Sequence, residues 1–164
     1  MIIKTKVSFK EYVKLLYGLA YERTMMKLLV GVALLILLWI IFYYLGIFNL
    51  PKPIIYQYIT LLLISIVQPV IIFLTVRRNY YSSNQLREAL EIEITPLEIK
   101  IQGESYYMEI KWEKLFKFVE KPKWFLMYQN NLSAIIIPKK DMSDSAIADF
   151  RELLKSIKDV PVEL

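Results

Sequence analysis

The residues of this chain best suited to chemistry are carboxylates. Glu91, Glu93, Glu98, Glu104, Glu109 and Glu113 fall within one short stretch. Paired carboxylates can exchange protons with a substrate or hold a hard cation. Their spacing singles out no pair, however, and most occupy the polar positions of alternating segments, where glutamate ordinarily meets solvent. The chain has no histidine and no cysteine. That excludes zinc sites built on Cys and His, nucleophiles activated by histidine, and disulfides. No Gly-rich phosphate loop is present. The sequence points to a protein that is not an enzyme, with no catalytic residues, cofactor or metal to assign.

The basic residues suggest binding instead. Lys27, Arg77 and Arg78 flank two long uncharged runs and suit contacts with anionic lipid headgroups, although setting the topology alone would explain them. Lys139 and Lys140 follow Pro138 at a strand-to-helix junction and form a candidate partner surface for a phosphate or an acidic segment. Asp141 and Asp144 oppose that reading, and a solvated turn accounts for the same residues. Trp112 shares the face of Ile110 and reads as core. Asn131-Leu132-Ser133 has the form of a glycosylation acceptor but reads here as a turn.

The elements that carry these residues begin with the uncharged runs. Residues 28–48 and 54–76 contain no charge. At about 1.5 Å per residue each crosses a hydrocarbon core of roughly 30 Å. Only Asn49-Leu50-Pro51-Lys52-Pro53 separates them, so the two form an antiparallel hairpin. Lys4, Lys6, Lys10, Lys14, Arg23 and Lys27 precede the first run against Glu11 and Glu22, whereas the loop holds Lys52 alone. Positive charge stays inside, which puts both chain termini on the cytoplasmic side of a multi-pass protein. Trp39, Tyr43, Tyr44, Tyr56 and Tyr58 lie towards the loop, as an interfacial aromatic belt does. The apolar run starts too late and is too long for a cleaved signal peptide.

On an uninterrupted helix at 100° per residue, Gln57, Gln68 and Thr75 fall within about 20° of one another, with Thr60 and Ser65 to either side. Polar groups in lipid seek partners, so this is a candidate packing face, within the hairpin or between copies. A conduction path would need oligomerisation. No ionisable residue lies in either run to relay a proton.

Before the first run, Ile3, Thr5 and Val7 alternate with Lys4 and Lys6 as a short strand. Ser8 and Glu11 then make a capping box for a helix reaching about Lys27. Its apolar face (Phe9, Tyr12, Val13, Leu15, Leu16, Leu19, Ala20) suits the membrane interface slightly better than the surface of a domain. From Glu91 the period becomes two. Strands are expected over 91–95, 97–102, 106–112, 115–120, 124–129 and 134–137, with turns at Thr95-Pro96, Gly103-Glu104, Lys121-Pro122-Lys123 and Asn130-Asn131. Ser143 or Asp144 caps a last helix with Ile147, Phe150, Leu154 and Ile157 on one face, and Lys155 and Lys158 near its end. The chain thus divides into a strand and amphipathic helix (1–27), a transmembrane hairpin (28–76) and a cytoplasmic α+β domain (77–164). The domain is a bent antiparallel sheet closed by a C-terminal helix, pleckstrin-homology-like, and the strand near Ile3 can return to its edge. Residues 77–164 carry fourteen charges of each sign, so nucleic acid is not an expected partner.

Several segments resemble the YcxB-like family of bacterial membrane proteins. They are Ile94-Thr95-Pro96-Leu97-Glu98-Ile99, Ile110-Lys111-Trp112-Glu113-Lys114-Leu115, Trp124-Phe125-Leu126-Met127-Tyr128 and Ala134-Ile135-Ile136-Ile137-Pro138-Lys139-Lys140, followed by the helix around Phe150. The resemblance extends along nearly the whole chain. It implies this architecture and a bacterial inner membrane, and no reaction. The expected function is a membrane-anchored interaction or regulatory module whose cytoplasmic domain binds a protein segment or lipid headgroup. The alternative is a subunit of a small oligomeric transport or channel assembly. Membrane lipid, a protein partner and a second copy of the chain are the expected partners.

Overall fold

A computed structural model describes residues 1–131, 133–157 and 160–163. Lys158, expected at a helix C-terminus, and Leu132, the middle of the acceptor-like tripeptide, lie outside the described residues. The chain divides into two compact units. One joins Met1–Ser8 to Tyr81–Leu164, and the other is Phe9–Tyr80.

The first unit is strand-rich. Strand β1 (Ile2–Thr5) pairs antiparallel with β2 (Leu90–Ile94), β2 with β3 (Glu98–Gln102), and β3 with β4 (Tyr107–Lys111). The N-terminal strand therefore does return to a sheet edge. Ile3 faces Ile92, which faces Ile101, and Ile94 faces Ile99. All five are buried. The intervening Lys4, Glu91, Glu98, Lys100 and Glu109 point outward and pair across strands: Lys4 with Glu91 at 3.1 Å, and Lys100 with Glu98 at 3.2 Å and Glu109 at 3.9 Å. Such exposed pairs stabilise by less than about 1 kcal/mol each. The hydrophobic face does most of the holding.

A second sheet follows, in the order β7-β6-β5-β8, from β5 (Lys117–Lys121), β6 (Trp124–Tyr128), β7 (Ala134–Pro138) and β8 (Val162–Glu163). β8 runs parallel to β5. The single bent sheet expected from the sequence is thus two four-stranded sheets, antiparallel except for that one pair. At two residues β8 is too short to leave a periodic signal. The two inner faces share one core with the final helix (Asp144–Ser156), which contributes Phe150 and Leu154, both fully buried. Ser143 caps this helix, its hydroxyl accepting the Ala146 N–H at 3.2 Å. Trp112 is core as expected, and its Nε1–H donates to the Thr95 carbonyl at 2.9 Å, which pins the β2–β3 turn.

The second unit is helical. Helix α1 (Phe9–Glu22) gives way to α2 (Thr24–Tyr44) at Arg23, which takes extended backbone angles (φ −65°, ψ 135°). The single helix expected to reach Lys27 is therefore two. α2 ends before the apolar run does. Gly46 takes φ +69°, Ile47 N–H donates to the Phe42 carbonyl, and Gly46 N–H donates to the Tyr43 carbonyl. This is a Schellman ending, and glycine is the residue that enters the left-handed region at no steric cost.

Helix α3 (Ile55–Ser82) is longer than its apolar run and carries Arg77 and Arg78 within it. Its centre, Leu63–Val67, is a π turn, in which Gln68 N–H reaches back five residues to Leu63. Pro69 supplies the cause. It brings no N–H to the Ser65 carbonyl and its ring crowds that oxygen, and a wider turn relieves the clash. A four-residue helix, α4 (Asn84–Arg87), precedes β2, and the final helix Asp144–Ser156 is α5. Both α2 and α3 are long and apolar enough to cross a membrane, and only 11% and 6% of their apolar windows is buried.

Candidate functional site

The helical unit holds most of the residues singled out for lipid or for packing. Lys27 stands in the first turn of α2, and Arg77 and Arg78 in the last two turns of α3. All three are exposed, and their side chains make no ion pair or hydrogen bond among the described residues.

The polar face of α3 is distributed rather than continuous. Gln57 accepts the Ile54 N–H at 2.7 Å and so caps its own helix. Gln68 donates to Met26 Sδ on α2. Thr60 is half-buried, Ser65 lies within the π turn, and Thr75 is exposed. A π turn places more residues per turn than an α turn, so Gln57 before it and Gln68 and Thr75 after it do not keep the phase of a regular helix.

At the loop end the aromatic residues meet one another. The Tyr44 and Tyr58 hydroxyls are 3.2 Å apart, and Trp39 Nε1 donates to the Pro51 carbonyl at 3.2 Å. α1 lies along α3 within the same unit. The Phe9 ring sits 6.1 Å from Phe73 and 5.3 Å from Tyr80, and the Tyr17 hydroxyl donates to the Pro69 carbonyl at 2.6 Å. The amphipathic helix therefore uses its apolar face against a neighbouring helix.

In the strand-rich unit, Lys139 is committed internally. Its ammonium pairs with Glu120 on β5 and lies 4.6 Å from the centre of the Phe125 ring. Its side chain is only 11% exposed and that of Glu120 10%. Arg151 on α5 completes the group, with Nε donating to both Glu120 oxygens at 3.1 and 3.0 Å. The Arg151 guanidinium, and then Lys139, hold the Glu120 carboxyl down at about 2 against the opposing effect of burial. The same contact raises the Arg151 pKa. Three residues far apart in sequence thus tie α5 to the second sheet. No local spacing announces them, and neither Glu120 nor Arg151 has a sequence signature. Lys140, the other half of the candidate partner surface, is exposed.

A second latch sits at the start of the unit. Glu88 accepts from the Ser105 N–H at 2.8 Å and from its hydroxyl, and these bonds lower its pKa. A Cβ at Gly103 would come within 2.7 Å of Glu88 Oε2, so that turn has no room for a side chain unless Glu88 moves.

The six glutamates first considered do not converge. Glu91, Glu98 and Glu109 bind neighbouring lysines, and among the described residues no group of three or more acidic residues could hold a metal ion. What the strand-rich unit does offer is an open edge. Among the described residues β4 pairs only with β3, and Tyr107 at its start is 61% exposed, with Leu97 and Phe116 also exposed.

Residues 94–154 match a family model described as YcxB-like protein. The match runs from the end of β2 into α5, less than half of the chain, and leaves out the helical unit. Over that interval the strand-rich unit is similar to the YcxB-like family. No curated protein and no solved structure matches the chain.

Proposed function

We propose that this chain, YcxB-like over residues 94–154, is a membrane-anchored, non-enzymatic interaction module. One observation carries the anchoring: two apolar helices of membrane-crossing length leave nearly all of their residues unburied. The core helix of a soluble protein buries its apolar face. Here the exposed area far exceeds what a monomer leaves to water. In this reading α2 and α3 form a transmembrane hairpin with both termini in the cytoplasm, as the lysines and arginines around them favour. A bacterial inner membrane is the setting that the family resemblance implies.

The cytoplasmic domain is then pleckstrin-homology-like: two packed sheets with a C-terminal helix inserted into their common core. Its charges balance, fourteen of each sign over residues 77–164, which gives a headgroup little net field to read. Its β4 edge, unpaired among the described residues and with Tyr107 exposed, suits a protein segment added as a further strand. Lipid headgroups fall to Lys27, Arg77 and Arg78 of the anchor. The alternative, a subunit of an oligomeric transport or channel assembly, has less support, because Gln57 and Gln68 already have partners within the chain.

A photo-reactive phenylalanine analogue at Tyr107 tests the edge in native membranes. The expected result is a protein adduct from position 107, and none from the same analogue at Ser145 on α5. Equal adducts from both positions, or lipid adducts alone, would contradict strand addition at β4.

A further inference from the structure

The helical unit carries a half-open cleft of about 230 Å³ on its surface. Tyr21 closes one side from the end of α1. Val30, Ala33, Leu34 and Leu37 come from α2, and Leu61, Ile64, Ser65 and Pro69 from the region of the π turn. The wall is apolar apart from the hydroxyls of Tyr21 and Ser65. Pro69 keeps the turn wide, so the cleft is built into the backbone.

Water is a poor occupant, because an ordered water needs two to four polar partners. A void left unfilled would forfeit dispersion contacts along its lining. The volume lies below the range of roughly 300–1,000 Å³ typical of drug-sized ligands, and a packing helix would not fit. Val30 and Leu37 are separated by about 10 Å along the α2 axis, so the cleft is elongated. An extended hydrocarbon chain has that shape. Lys27 lies one turn before Val30 on α2, exposed and without a partner among the described residues. Glu22, the nearest acidic residue in sequence, already has an interaction of its own.

We infer that the cleft between α1, α2 and the π turn of α3 holds part of one acyl chain of an anionic phospholipid, whose phosphate is met by Lys27. This rests on the proposed anchoring for its setting. In the hairpin topology, the first half of α2 lies in the inner leaflet. The lipid then acts as part of the anchor, filling the gap that Pro69 opens.

Native mass spectrometry of the full chain tests this, released from micelles containing equal amounts of phosphatidylglycerol and phosphatidylcholine. One phosphatidylglycerol per chain should persist after the detergent is stripped. Ala33→Phe, which fills the cleft, and Leu34→Trp, which blocks its rim with less demand on packing, should each lower the retained fraction at least fivefold. Helicity should be unchanged in at least one of them. Lys27→Gln should keep a lipid bound but reduce the preference for phosphatidylglycerol about fivefold. Absence of a retained lipid would overturn the proposal, as would unchanged retention in a folded cleft-filling variant, or a dimer in place of the lipid. An unchanged preference in Lys27→Gln would overturn the assignment of the headgroup. None of these readouts depends on which side of the membrane the termini occupy, so failure of the cleft and failure of the topology are told apart.

Discussion

Replacing Phe150 by alanine is expected to destabilise the strand-rich unit by about 3–5 kcal/mol. Phe150 is fully buried, and it is where α5 meets the second sheet. Its ring packs edge-on against Phe125 at 4.9 Å and Phe118 at 5.5 Å, and those two rings are 5.8 Å from each other. Truncation removes one member of a three-ring cluster and leaves a cavity walled by two sheets that cannot close over it. A domain of this size has only about 5–15 kcal/mol of stability in hand. The variant should therefore unfold at a much lower urea concentration, or not fold at all. Tryptophan fluorescence of the full chain in mild detergent measures this, with Trp39 replaced by phenylalanine so that only Trp112 and Trp124 report. A loss below about 1 kcal/mol would mean that α5 is not the element that closes the core.

The second large effect concerns charge. Glu120→Gln removes the counter-ion of Lys139, which is then left nearly buried against the Phe125 ring with no compensating charge. The sign of the pH dependence follows from the direction of the shift. The folded carboxyl titrates at about 2 against an ordinary value of 4.5. Its contribution is therefore fully present above about pH 4.5 and is lost as the pH falls through the folded value. The whole shift corresponds to about 3 kcal/mol. Arg151 is 45% exposed, so solvent screening brings the expected figure to about 1–3 kcal/mol. Urea midpoints of wild type and Glu120→Gln should differ clearly at pH 7 and converge as the pH approaches 2. The other carboxylates, Glu88 among them, titrate in both proteins and cancel in the comparison. A difference that stays constant from pH 7 to pH 2.5 would show that the Glu120 charge is not what binds α5.

The parts of this molecule that were legible in the sequence are those with a local cause. Ile92, Ile94, Ile99 and Ile101 alternate with charged residues because one face of a sheet is wet, and period two records that directly. Ser143 announced its helix because a cap acts within three residues. β1 was visible as an alternation, although its return to β2, ninety residues away, needed the fold to fix it.

What the sequence hid has non-local or geometric causes. Glu120, Lys139 and Arg151 meet only once β5, β7 and α5 are assembled, so Lys139 looked like an outward-facing cation. A polar face on α3 requires a constant 100° per residue, and the π turn beside Pro69 breaks that phase. Gly46 ends α2 although apolar residues continue beyond it, because backbone conformation at one glycine outweighs hydropathy. The cleft is a product of three helices and has no signature in any one of them.

The proposed topology is a hairpin in the membrane with the strand-rich domain inside the cell. The chain lacks cysteine, so single thiols can be placed and read without background. Lys52→Cys in the loop and Lys140→Cys in the domain would each be exposed to a membrane-impermeant maleimide added to intact cells. Position 52 is expected to label in intact cells, and position 140 only after the membrane is opened. Labelling of position 140 in intact cells, or protection of both positions until lysis, would contradict it.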